Sequence, residues 1–310
     1  MVRWHTLQRR ASLYTRLYVV GMRLRRDKAA FEGAQHTLEQ AGALQEGGDH
    51  PPTRFTRLRT RVVETRRHGM RTWTVGPRRR RSVARVLYLH GGGYVHPLTA
   101  DYWRLARALT HAPAEVTLPA YPLAPAADVD DVLPRLLSLY DDLVGAAPEL
   151  PVVLMGDSAG GALVLALAAR LRDRGGPPPA AVVGLSPWLD ATLADPEVAD
   201  LEPTDPMLAE SGLRAAGRWW AGPRRPDDPL VSPVAESLVA LPPLDVYIGD
   251  RDILRPAVDA LADRAERDGA DLTVHEIAAM FHVWMTRAVP EARRTRAELA
   301  ALVRTRATAR

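Results

Sequence analysis

The sequence predicts an α/β protein: a mostly parallel sheet flanked by helices, with a helical cap. Three observations predict it. Short apolar runs alternate with helix-like stretches along most of the 310 residues. A Gly-x-Ser-x-Gly pentapeptide lies between one apolar run and a helix former, and a triple glycine follows directly on another run.

The elements read as follows. Residues 5–27 form an amphipathic helix on the spacing of Leu7, Ala11, Tyr14, Tyr18, Gly21 and Leu24, with arginines on much of the other face. Three roles fit it: a helix packed on the main body, a cap over a site, or a membrane-surface contact. Residues 42–53, with Gly47-Gly48 and Pro51-Pro52, read as a loop. An N-terminal cap segment over 1–55 therefore precedes a catalytic domain over 56–310. Strands are expected at 61–65, 71–75, 85–90, 115–118, 152–155, 181–185, 244–248 and 272–277, the first two as an antiparallel hairpin. Helices are expected at 159–172 and 256–267. Residues 190–235, rich in proline, aspartate and tryptophan, interrupt the rhythm and read as a cap insertion.

Composition excludes several classes. There is no cysteine, so disulfides, thiolate metal sites and cysteine nucleophiles are absent. The 41 basic residues, with Lys28 the one lysine, barely exceed 37 acidic ones, giving a net charge of +4. The dense cluster Arg78 to Arg81 reads as a solvated hairpin tip; no zinc spacing or nucleic-acid motif accompanies it, and no nucleic-acid partner is expected. No apolar stretch reaches the roughly 18 residues of a membrane span, and Leu17 to Met22 is too short for a signal-peptide core, so a cytoplasmic location is the expectation.

The chemistry gathers in four places. Gly156-Asp157-Ser158-Ala159-Gly160 lies between the strand at 152–155 and the helix at 159–172. A serine on so sharp a turn takes a strained backbone angle, its neighbours must be small, and its hydroxyl is lifted clear of the sheet. His90-Gly91-Gly92-Gly93-Tyr94 follows the strand ending in Leu89. Three glycines free the backbone N–H groups of Gly91 and Gly92 to join that of Ala159 as an oxyanion hole; His90 orders the loop. Asp250 and Asp252 follow the strand at 244–248, where α/β sites gather. His282 follows the last strand, whereas His275 lies within it. The order Ser158, Asp252, His282 is that of a nucleophile, an orienting acid and a general base on this fold, with Asp250 the alternative acid.

The pairing of His90-Gly91-Gly92-Gly93 with Gly156-Asp157-Ser158-Ala159-Gly160-Gly161 resembles the hormone-sensitive-lipase-like family of α/β-hydrolases, in its bacterial esterase branch. Tyr121-Pro122-Leu123-Ala124-Pro125 resembles that family's motif ahead of the nucleophile strand, and the likeness spans about residues 85–290. It implies an eight-stranded sheet, the helical cap, and ester hydrolysis without metal or organic cofactor. It favours Asp252 as the acid, because Ile253-Leu254 follows as in the family. Arg255 and Ala126 depart from the pattern, both at positions outside the triad. Dimerisation through an exposed edge strand is a further expectation of the resemblance.

Together these predict a serine carboxylesterase acting on short to medium acyl esters or lactones through an acyl-enzyme. Tyr94, Trp188, Met207, Trp219, Trp220 and Trp284 are candidates for an apolar pocket, and equally for cap core. An amidase resembling arylformamidases would use the same three residues. A ligand-binding protein on this fold would typically lack one of them.

Overall fold

The strand-forming runs assemble, in a computed structural model that describes residues 1–8 and 10–308, into one nine-stranded sheet. Its strands are β1 (Val2–Leu7), β2 (Arg61–Arg67), β3 (Met70–Gly76), β4 (Ala84–Leu89), β5 (Ala114–Ala120), β6 (Val152–Asp157), β7 (Ala181–Leu185), β8 (Leu244–Gly249) and β9 (Leu272–Ile277). Their spatial order is β1-β9-β8-β7-β6-β4-β5-β3-β2. β2 and β3, and β3 and β5, pair antiparallel; every other pair is parallel. The central strands β6, β7 and β8 are buried along their whole length, as a sheet covered on both faces requires.

Ten α-helices connect and cover these strands: α1 (Leu13–Leu24), α2 (Ala34–Gly47), α3 (Arg54–Arg59), α4 (Tyr102–Leu109), α5 (Val129–Ala146), α6 (Ala159–Asp173), α7 (Glu197–Leu201), α8 (Glu210–Ala221), α9 (Arg255–Asp268) and α10 (Pro290–Thr308). One core layer joins α5, α6, α8 and α9 to the sheet, and the other joins α1, α4 and α10. α6 is buried continuously from Ala159 to Ala169, which its all-round apolar sequence permits.

The N-terminus corrects the sequence reading. The expected helix over 5–27 divides into β1, a break, and α1. β1 runs parallel to β9 with Trp4 opposite Val274, and makes the sheet nine strands rather than eight. Val2, Trp4 and Thr6 favour extended backbone, and Arg3 pins the edge by pairing with Asp271 and Thr273. Helical spacing of Leu7 and Ala11 with the residues beyond masked that break. Ser12 caps α1 by accepting from the Thr15 N–H at 3.2 Å, and Glu291 of α10 accepts from the Ser12 backbone N–H at 2.6 Å. Arg78 to Arg81 are exposed as expected, but in the β3–β4 connection; the hairpin tip is His68-Gly69.

The N-terminal segment and the insertion meet directly. The Gly33 N–H ahead of α2 donates to the Ser211 hydroxyl of α8 at 2.9 Å. Gly212 of α8 lies so close to the Phe31 carbonyl that a Cβ there would collide with it. α8 is fastened to the body by Trp220, whose ring stacks on Tyr94 at 4.1 Å and 2°. Trp220 is fully buried, so Trp220→Ala is expected to lower unfolding stability by about 3–5 kcal/mol in urea titration. A loss below about 1 kcal/mol would show that this stack does not hold α8 in place.

Candidate active site

Ser158 sits where β6 turns into α6, with φ 50° and ψ −122°. A residue with a side chain takes that left-handed backbone only under constraint. The constraint is close packing. Cβ atoms at Gly156 and Gly160 would collide with the backbone of Gly160 and Leu89 respectively, and one at Gly161 would stand 2.8 Å from Pro187. The Ser158 N–H donates to Leu185 O at 2.9 Å, tying the turn to the end of β7.

Asp157, the preceding residue, binds the glycine loop to this turn. Its carboxylate accepts from the Gly91 N–H at 2.9 Å, from Tyr88 Oη at 2.8 Å and from Tyr102 Oη at 3.0 Å. Burial pushes its pKa up to about 6, against the pull of these donors. The expectation for Gly91 is thereby corrected: its N–H is engaged by Asp157 and Tyr102 rather than offered to the cleft. Among the described residues, the N–H groups of Gly92, Gly93 and Ala159 have no hydrogen-bond acceptor. His90 is buried, stacks on Tyr121 at 4.4 Å and lies with Nδ1 2.8 Å from Gly91 O. Tyr121 in turn donates to His90 O at 2.6 Å, so the Tyr121-Pro122 motif holds the glycine loop from behind.

His282 Nδ1 is 2.8 Å from Asp252 Oδ2, both groups fully buried. Asp250, the alternative acid, is exposed and accepts from the Ala279 N–H at 2.7 Å. A third carboxylate, Asp205 from the insertion, lies against this pair. It accepts from the N–H groups of Met207 at 2.7 Å and Leu208 at 3.0 Å, and from that of Ile253, next to Asp252, at 3.2 Å. Burial, then the charge of Asp252, pushes the Asp205 pKa up to about 6. For His282, burial lowers the pKa, but Asp252, Asp205 and Asp157 together outweigh it and the net shift is upward.

Ser158 and His282 line one cleft of about 130 Å³, with Gly91, Gly92, Gly93, Asp157 and Tyr102 on its floor. Phe31, His96, Met207, Leu208 and Val283 supply much of the wall. Of the six pocket candidates, Met207 lines this cleft. Tyr94 and Trp188 are buried against each other at 5.6 Å beneath α8, and Trp219 is half-buried on that helix. Trp284 donates from Nε1 to Thr295 Oγ1 at 3.1 Å, anchoring the His282 loop to α10. Tyr94 and Trp188 are core because α8 packs over them through Trp220 and Gly217, and Trp284 is core because α10 covers it. Phe31 and Asp205 were not legible as site residues because each arrives through packing of a segment distant in sequence, and His96, just past the glycine loop, carries no spacing that marks it.

Replacing Asp205 by Asn removes a negative charge near His282 and should lower the histidine's pKa. An NMR titration of the His282 ring protons in Asp205→Asn and wild type reads this directly. An unchanged value would show that Asp205 has no electrostatic hold on the imidazole.

A family model described as alpha/beta hydrolase fold matches residues 86–286. The chain is 32% identical over 227 residues to an acetyl-hydrolase from Streptomyces hygroscopicus, covering 71% of this chain and 75% of that protein. It is 28% identical over 227 residues to an esterase from Acinetobacter venetianus, covering 69% and 73%. A crystal structure of an esterase from the bacterial hormone-sensitive lipase family superposes with a TM-score of 0.83 at 26% identity, covering 96% of this chain and all of the other. Sheet order, serine turn, glycine loop and relatives agree: the chain belongs to the α/β-hydrolase fold family, in its hormone-sensitive-lipase-like group, and is a hydrolase of the carboxylesterase type.

Proposed function

We propose that the protein hydrolyses short to medium acyl esters or lactones by acyl transfer to Ser158. The observation that carries this is the buried 2.8 Å His282–Asp252 bond beside a serine held on a strained turn in the same cleft. Asp252 fixes the imidazole with Nδ1 protonated, leaving Nε2 to accept the Ser158 proton as Oγ attacks the ester carbonyl. No hydrogen bond joins Ser158 Oγ to another described residue, and such bonds often tighten only when substrate is bound. Negative charge that develops on the carbonyl oxygen is received by the N–H groups of Gly92 and Ala159, with Gly93 in the place first expected for Gly91. The N-terminal end of α6 adds its positive dipole there.

Collapse of the tetrahedral intermediate breaks the ester C–O bond, and His282 gives its proton to the leaving alcohol. Water then attacks the acyl-serine, His282 taking its proton, and the released acid restores Ser158. Asp205 keeps the acid loop in register through Ile253 and adds negative charge that favours the imidazolium. The α2–α8 unit acts as a cap, presenting Phe31 and Met207 to the substrate. The modest cleft favours small acyl groups, in keeping with the acetyl-hydrolase and esterase names of the relatives.

Two measurements test this. With p-nitrophenyl butyrate, Ser158→Ala is expected to lower kcat by about 10⁴-fold or more while the fold is retained. A wild type that turns over no ester, or a mutant of equal activity, would remove Ser158 as nucleophile; faster turnover of the matching amide would make the protein an amidase. The pH profile has a fixed sign. His282 must be neutral to accept a proton, and its pKa lies above the ordinary value of about 6.5. Activity should therefore be lost as pH falls through a midpoint above 6.5 in kcat/KM, and a lower midpoint would contradict the electrostatics of the site.

A further inference from the structure

The first 26 residues carry seven arginines and no acidic residue, leaving 34 basic against 37 acidic residues in the rest of the chain. α1 lies inside this positive segment and has two apolar faces. The inner face, Thr15, Val19 and Met22, is buried. At about 100° per residue, Leu13, Leu17, Val20 and Leu24 form a second stripe on the opposite side. All four are exposed, Leu17 at 61% and Leu24 at 81%. Water-exposed leucines scattered singly need no explanation, but a continuous crest along one helix does.

The flank of this crest is cationic. Arg16 and Arg23 fall on one side of it, next to a groove of about 460 Å³ that also holds Arg10, Val20 and Arg251. Among the described residues Arg10, Arg16 and Arg23 make no ion pair, and Arg23 gives its one side-chain hydrogen bond to a backbone carbonyl. Arginines left without carboxylates around an apolar crest match a surface that offers both acyl chains and negative headgroups. A second copy of this chain would bring more arginine to the same groove and is opposed by its charge.

We propose that α1 is an interfacial docking helix that seats the protein on an anionic lipid surface, with Leu13, Leu17, Val20 and Leu24 entering the headgroup–acyl boundary and Arg10, Arg16 and Arg23 contacting phosphates. The helix is coupled to the cleft. Tyr18 stacks on Phe281 at 6.0 Å, one residue before His282, and Arg23 donates to Thr204 O at 3.2 Å, one residue before Asp205. Docking through α1 therefore holds the cleft near the lipid surface. It stands apart from the hydrolase reading, because it requires no turnover.

The test is sedimentation of the full chain in the Ser158→Ala background with vesicles of phosphatidylcholine alone, or of equal parts phosphatidylcholine and phosphatidylglycerol. Binding is expected on the anionic vesicles and should weaken as salt is raised. Leu17→Asp/Leu24→Asp should weaken it by about tenfold or more, and Arg16→Gln/Arg23→Gln by about fivefold for each arginine removed. These positions are exposed, and circular dichroism with an unchanged thermal midpoint checks that both variants fold. Absence of binding, equal binding to neutral vesicles, or full binding by the leucine variant would overturn the proposal. A solution dimer that the leucine variant dissociates would overturn it in favour of a second copy.

Discussion

The site depends on one backbone crossing. The turn between β6 and α6 passes so close to the end of β4 that neither Gly156 nor Gly160 has room for a Cβ. That contact forces Ser158 into its left-handed backbone and sets the glycine loop after β4 beside it. Asp157 locks the crossing, since one carboxylate gathers the Gly91 N–H and the hydroxyls of Tyr88 and Tyr102. An ionised carboxylate buried without those donors would cost several kcal/mol. With them, the group that orders the loop also directs the neighbouring N–H groups of Gly92 and Gly93 toward other work.

Three carboxylates converge on one imidazole. Asp157 and Asp205 both have pKa values pushed up to about 6, whereas an unfolded aspartate titrates near about 3.9. Between these values the folded chain binds more protons than the unfolded one, so these two groups reduce stability as pH rises through that window. Against that cost, their charge raises the proton affinity of His282. Asp205 also carries a mechanical link: it belongs to the insertion over 190–235 yet accepts from Ile253 beside Asp252, so the position of the insertion and the geometry of the acid are joined by one hydrogen bond.

Much of this was legible in the sequence. Gly156 to Gly160 and His90 to Gly93 are local signals, since a strained turn and a free-N–H loop each demand small residues at set positions. The pairing of His282 with Asp252 rather than Asp250 followed from the resemblance and agrees with the geometry. What escaped depends on tertiary placement. β1 carries no hydrophobic alternation strong enough to betray an edge strand, and its boundary was absorbed into the helical period of α1. Gly91 was assigned to the cleft because glycine spacing shows that N–H groups are free of steric bulk, not which acceptor takes them. The aromatic residues around 188, 219 and 284 look alike in sequence whether they line a pocket or fill the core; only the packing of α8 and α10 separates them.

The most direct test of the central claim is intact-mass and peptide-level mass spectrometry after reaction with a fluorophosphonate probe, on wild type and His282→Gln. The account predicts one probe per chain on the Ser158 peptide in the wild type, and labelling slowed by orders of magnitude in His282→Gln while the fold is kept. Absence of label on Ser158, or equally fast labelling without the imidazole, would contradict an activated serine at this turn and leave the cleft as a binding site alone.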